Sequence, residues 1–133
     1  ASPETYSINR RGGSFERLLK NLEFIGKLRQ NGPLEWLGIS MVVQENNFME
    51  MPDFIHLGQR FQVDTVYFSQ LVNWGTYSEE EYRSRAIHLP YHPRHSEFLD
   101  LLEMEIFREP LVYLGNLTET ANKAVKPIFE QII

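Results

Sequence analysis

Three groups of residues have types and spacings that could do chemistry. His88, His92 and His95 lie four and three residues apart in "HLPYHPRH". Histidines can hold zinc when their ring nitrogens converge at about 2.0–2.1 Å. Here Pro90 and Pro93 interrupt the run, so the three rings do not share one helical face, and the competing reading is a polar surface loop. Amides form the second group: Gln44, Asn46, Asn47, Gln70, Asn73 and Asn116. Amides hydrogen-bond neutral heterocycles and ribose but supply no general base near neutral pH, and Asn also serves simply in turns and caps. Glu45 is the one carboxylate among them. The third group is "RRGG" at Arg10 to Gly13. It could cradle a phosphate or carboxylate at a helix start, or merely make a glycine bend with solvated arginines. "NLT" at Asn116 matches a glycosylation acceptor, but no signal peptide supports that context.

These residues need elements to position them. Ser2, Pro3 and Glu4 read as cap, first position and acidic first turn of a helix. Ser14 caps a second helix, with Phe15, Leu18, Leu19, Leu22, Ile25 and Leu28 on one face, ended by Asn31–Pro33. Leu37–Val43 reads as a strand, and its apolar residues on both faces predict cover on both sides. Met49–Phe61 reads as a helix with Phe54, Ile55, Leu57, Gly58 and Phe61 inward. Val63–Leu71 reads as a second strand. Ser78 caps a helix with an acidic first turn, Glu79–Glu81. "SEFLDLLEMEIF" is a helix with Phe98, Leu101, Leu102 and Ile106 inward, Leu111–Leu117 a third strand, and the remainder mostly helical. Ile128, Phe129, Ile132 and Ile133 fall at helical spacing, which predicts a docked terminus.

Strands alternating with helices imply right-handed parallel crossovers and an α/β fold. A closed barrel of this kind needs about eight units and some 250 residues, and the chain has 133. The expectation is one domain: a partial parallel barrel, or an open parallel sheet of about three strands. Ligands then bind beyond the C-terminal ends of the strands. That rim is Gln44–Asn47, Gln70–Gly75 and Gly115–Asn116.

Composition narrows the classes. Forty-two per cent of the residues are hydrophobic, enough for a core. Lys and Arg number 13 against 18 Asp and Glu, a net charge of −5, which disfavours nucleic acid or an anionic membrane as partner. No apolar run is long enough for a membrane span, and a cytoplasmic protein is expected. Cysteine is absent, so this chain by itself offers no thiolate for zinc or an iron–sulfur cluster. No dinucleotide fingerprint, phosphate loop, nucleophile elbow or zinc-protease helix occurs.

Several stretches agree in order and spacing with one family. "ETYSINRRGGSFERLLKNLEFI" and then "ISMVVQENNFMEMPDFIHLGQRFQVDTVYFSQLVNWG" resemble the later part of radical S-adenosylmethionine enzymes, in the branch that often carries an additional iron–sulfur domain. The likeness covers about residues 2–82 well, and "HPRHSEFLDLL" and "VYLGNL" extend it less specifically. The resemblance implies that Leu37–Val43 corresponds to the family's fifth strand and Val63–Leu71 to its sixth. Val43, Gln44, Asn47, Phe68 and Gln70 would then lie near the adenine and ribose of S-adenosylmethionine, largely through backbone atoms. Asn73 and Trp74, with Gly75, would shape the substrate side.

The family's CxxxCxxC motif, its "GGE" stretch and its "SIDG" turn are missing from this sequence. The resemblance therefore implies the C-terminal half of a barrel, inactive alone, whose parent binds a 4Fe–4S cluster and S-adenosylmethionine and modifies a peptide or small substrate by radical chemistry. The alternatives are a non-enzymatic binding or scaffold module and a His-dependent metal hydrolase. A half-barrel leaves a sheet edge and an inner face uncovered, which predicts a homodimer through one of them.

Overall fold

Two helices lead the chain, each capped as its sequence dictates. The computed structural model describes residues 2–10 and 12–124. Helix α1, Pro3–Asn9, is capped by the Ser2 hydroxyl, which accepts from the Thr5 amide. The left-handed Gly12 makes the bend that follows. Helix α2, Phe15–Gln30, is capped by Ser14 through the Arg17 amide. Of the expected apolar face, Leu22 is buried and Leu28 is exposed.

Three strands form one parallel sheet in the order β1–β2–β3: β1 Gly38–Val43, β2 Thr65–Gln70 and β3 Val112–Tyr113. The sheet is open. Helix α3, Met51–Arg60, crosses from β1 to β2, after a tight turn at Phe48–Glu50 that takes the start of the expected helix. Between β2 and β3 lie α4, Glu79–Arg85, capped by Ser78, and α5, His95–Leu102. Helix α6, Thr118–Ala124, follows β3. The expectation for Ile128–Ile133 lies outside the described residues, as does Arg11.

The core occupies one face of the sheet. Ile39, Met41 and Val43 of β1 and Val66 and Phe68 of β2 meet Phe48, Met51, Phe54 and Ile55. Edge-on ring contacts chain Phe54 to Phe68 to Phe107, and Phe48 packs on Phe98. Each such fully buried side chain contributes about 1.5–3 kcal/mol. Helix α3 lies close on the sheet because Gly58 has no Cβ: one placed there would come within 2.4 Å of the Val66 Cγ2.

Among the described residues, no element covers the opposite face. Alternation sends Ser40 and Val42, Tyr67 and Tyr113 outward, and Val42, Tyr67 and Tyr113 keep 48%, 39% and 63% of their surface accessible. This corrects the expectation of cover on both sides.

Two further expectations change. The third strand is two residues long, because Gly115 turns left-handed and the chain coils into a turn at Gly115–Leu117. The helix expected through Phe107 stops at Leu102. Met104 is extended and a separate turn spans Glu105–Arg108, which buries Phe107 in the core, with Ile106 half-buried against it. Among the described residues, no helix is long and apolar enough to cross a membrane.

Candidate functional site

The rim beyond the strand C-termini is built from the expected amides, and most of them are spent on backbone. In β1 the Leu37 carbonyl accepts from Asp64 on the β2 side, so by alternation the peptide groups of Val42 and Gln44 face the outer edge. Asn47 fills both: its Oδ1 accepts from the Gln44 N–H at 2.7 Å and its Nδ2 donates to the Val42 carbonyl at 2.9 Å. Its side chain thus does at the strand end what a neighbouring strand would do. Asn116 acts similarly for β2. The two-residue β3 does not reach Gln70, and the Asn116 Oδ1 accepts that N–H at 2.8 Å.

Asn73 organises the loop after β2. Its Oδ1 accepts from the Gly75 and Tyr77 amides and its Nδ2 donates to the Tyr77 carbonyl. The loop so fixed holds Trp74 out, 88% accessible. Asn46 exchanges amide hydrogen bonds with Asn9, at 2.8 and 3.3 Å, and so ties α1 to the rim.

The side chains of Val43 and Phe68 point into the core and are wholly buried. Any ligand contact they make comes from backbone atoms. Gln44 is buried, with its Oε1 3.5 Å from the Arg85 Nη1. Of the exposed large hydrophobic side chains, Trp74 keeps the largest share of its surface accessible, and an indole there offers a stacking face and one N–H donor. At the RRGG bend, Gly13 sits against Tyr6 and Arg10 and the Ser14 hydroxyl is engaged as a cap. In the glycosylation-like triplet, the Asn116 Oδ1 accepts from Gln70 and the Thr118 hydroxyl donates to the Gly115 carbonyl.

The histidine segment differs from its expected form. It is packed, not a surface loop: His88 and His92 keep 9% and 7% of their surface. The rings also turn to backbone. His92 Nε2 lies 2.9 Å from the Ser84 carbonyl, and His95 Nδ1 lies 2.9 Å from that of Ile87. Among the described residues, no three of His, Asp and Glu come together as a metal-binding group. Burial, with His95 nearby, holds the His88 imidazole below the ordinary histidine range, and burial pushes the Tyr82 phenol up.

Sequence reasoning missed Arg94. Its guanidinium donates to Glu45 at 2.8 Å and to both oxygens of Glu97, and stands 4.8 Å over the Phe48 ring. The hydrogen bonds it donates to Glu97 and Glu45 raise its pKa, and Arg94 holds the Glu97 carboxyl below its usual range. Glu45 and Arg94 are 49 residues apart, so local spacing carries no sign of the pair.

The rim therefore presents backbone edges, a buttressed indole and an arginine–carboxylate clamp. That set suits binding rather than proton transfer. Comparison with protein-family models, with curated proteins and with solved structures returns no match.

Proposed function

We propose that this chain supplies the later β/α units of a radical S-adenosylmethionine barrel, its bare sheet face turned to the barrel interior and its rim to the cofactor. One observation carries the reading: an all-parallel sheet whose core, among the described residues, lies on one side only. Parallel sheets occur almost only with both faces covered, by helices outside and, in a barrel, by the other strands within. The order and spacing of the motifs from "ETYSINRRGG" to "NWG" support the same assignment.

The residues present do not fit the iron–sulfur cluster, since no thiolate is available, and no step of radical chemistry belongs to this chain. The side chains of Val43, Asn47 and Phe68 are committed to the fold, so S-adenosylmethionine would meet mainly peptide groups here. Asn73 positions Trp74 on the substrate side. The reading places the parent in the cytoplasm.

The test is the full reading frame and its product. Three cysteines spaced CxxxCxxC should lie N-terminal to this stretch, and the anaerobically purified parent should be brown and cleave S-adenosylmethionine. A frame without those cysteines overturns the proposal. The 133-residue chain alone should bind S-adenosylmethionine weakly or not at all, and calorimetry giving micromolar affinity would contradict its standing as an inactive half.

A further inference from the structure

The segment between α4 and α5 buries two histidines and reaches the β1 rim through Arg94, and the proposed function makes no use of it. We propose that this segment, Ile87 to Arg94, is an acid-sensitive latch: its histidines keep it folded against α4 while they are uncharged, and protonation frees the segment and, through Arg94, its hold on the rim. The inference stands on hydrogen-bond geometry and does not depend on the radical-enzyme reading.

His92 shows the logic most directly. The Arg94 backbone N–H donates to His92 Nδ1 at 3.1 Å, so that nitrogen carries no proton. Nε2 then holds the ring's hydrogen and donates to the Ser84 carbonyl at 2.9 Å. Both partners are satisfied only by the neutral ring. A second proton would enter at Nδ1, set a donor against the Arg94 donor, and leave the Pro93–Arg94 turn without its acceptor.

His95 closes the other side. Its Nδ1 donates to the Ile87 carbonyl at 2.9 Å, while its backbone N–H donates to the His92 carbonyl at 3.0 Å. His88 sits behind them with Nδ1 fully buried and without a hydrogen-bond partner, its ring edge-on to Tyr82 at 6.4 Å between centroids. A proton arriving there finds no acceptor.

Arg94 connects the latch to the rim. Its backbone is held by His92 and its guanidinium by Glu45, whose own N–H donates to the Arg85 carbonyl at 2.8 Å. Besides the exposed Glu80 and Asp100, the packed elements carry the following charged and titratable groups. Helix α4 brings Tyr82, Arg83 paired with Glu79, and Arg85 paired with Glu81. Arg83 also stands over the Tyr91 ring. The rim brings Glu45, committed to Arg94, and Glu50, itself engaged. Helix α5 brings His95 and Glu97, the latter also on Arg94. Glu45, Glu79, Glu81 and Glu97 are thus each paired with an arginine, and a charge on His95 adds repulsion at His88.

The direction follows from linkage. His88 takes its proton less readily in the closed state than in the open one, so the open state binds more protons and closure weakens as pH falls through the ordinary histidine value.

Amide hydrogen exchange of the 133-residue chain at about pH 7.5 and about pH 5, corrected for intrinsic rates, tests this across the histidine range. Protection at Glu45, Leu89, His92, Arg94 and His95 should be lost at the lower pH, while Val66 and Phe68 in β2 keep theirs. His56, exposed on α3, provides the control, and H56Q should leave the response unchanged. H88L should flatten it. Where H88L does not fold, ring-nitrogen NMR shifts of the unmodified chain decide: the charging of His88 must run in step with the loss of Arg94 amide protection. Unchanged protection at the lower pH, equal loss in β2, or a charged His88 with the Arg94 amide still protected would each overturn the latch.

Discussion

Asn47 carries the clearest lesson at the scale of single residues. Its type and place at the rim were legible, since "QENN" follows an apolar run. Its role was not, because an amide looks the same in sequence whether it meets a ligand or its own backbone. Only the fold shows that the Gln44 N–H and the Val42 carbonyl are edge groups in need of partners. Asn47→Ala should therefore destabilise the chain by about 2–3 kcal/mol, the cost of leaving a donor and an acceptor unmade at a largely buried position. Asn47→Asp should not rescue it, because a carboxylate keeps the acceptor for Gln44 but faces the Val42 carbonyl. Urea unfolding followed by circular dichroism measures both, and an Asp variant as stable as the parent would show that the Val42 bond is unimportant. Asn73→Ala should act differently. It removes three short-range bonds from a surface loop, so it should speed Trp74 motion, read by fluorescence anisotropy, with little change in the unfolding midpoint.

Helices were the most legible of the elements, because their signals are local. Ser2, Ser14 and Ser78 each cap the helix expected of them. What failed depended on partners. The third strand exists only where Val112 and Tyr113 meet Val66 and Tyr67, and the left-handed Gly115 ends it. The helix after Arg94 lost its phase at Glu103–Met104, which no residue type announced.

Two predictions belong to this scale. Gly58→Ala drives a methyl into Val66 and Val63 where α3 crosses the sheet, and should cost about 1–3 kcal/mol in chemical denaturation. The second concerns the tie between α2 and the sheet. Arg29 clamps Asp64 through two guanidinium nitrogens and also donates to the Gln62 carbonyl at 2.9 Å, and Asp64 accepts from the Leu37 amide at 2.8 Å. The Leu37 amide first, and Arg29 next, hold the Asp64 carboxyl below its ordinary value. A carboxyl lowered on folding adds stability that is present above its unfolded value and lost as pH falls through the folded one. Below about pH 4, α2 should lose amide protection before β2 does. Asp64→Asn should reproduce that loss at neutral pH, and an α2 equally protected in the variant would remove the clamp from the account.

On the scale of the whole molecule, the parallel α/β order was legible because helix and strand periods alternate along the chain. The single-sided cover was not. "GISMVV" is apolar at nearly every position, and a strand of that kind reads as buried twice. The structure buries Val43, half-buries Ile39 and Met41 against the core and leaves Val42 out, with Tyr67 and Tyr113 on the same face. The excess hydrophobicity is then not an error of pattern but a property of a face that needs cover. Hydrophobic transfer favours that cover at about 25 cal/mol for each Å² of apolar surface removed from water. In the proposed barrel the remaining strands provide it. In the isolated chain a second copy is the cover always at hand, so the 133-residue protein should dimerise through this face or the adjoining β1 edge. Light scattering across a wide concentration range should show a dimer, and Val42→Glu with Tyr113→Lys should give a monomer of unchanged circular dichroism. The pair separates the two surfaces: both side chains lie on the open face, so a dimer that survives them is held by the strand edge, where Asn47 leaves only the peptide groups before Val42 to pair. A chain that stays monomeric at high concentration without any substitution would mean that the face tolerates water as it stands, and the argument from incomplete cover to a barrel would lose its premise.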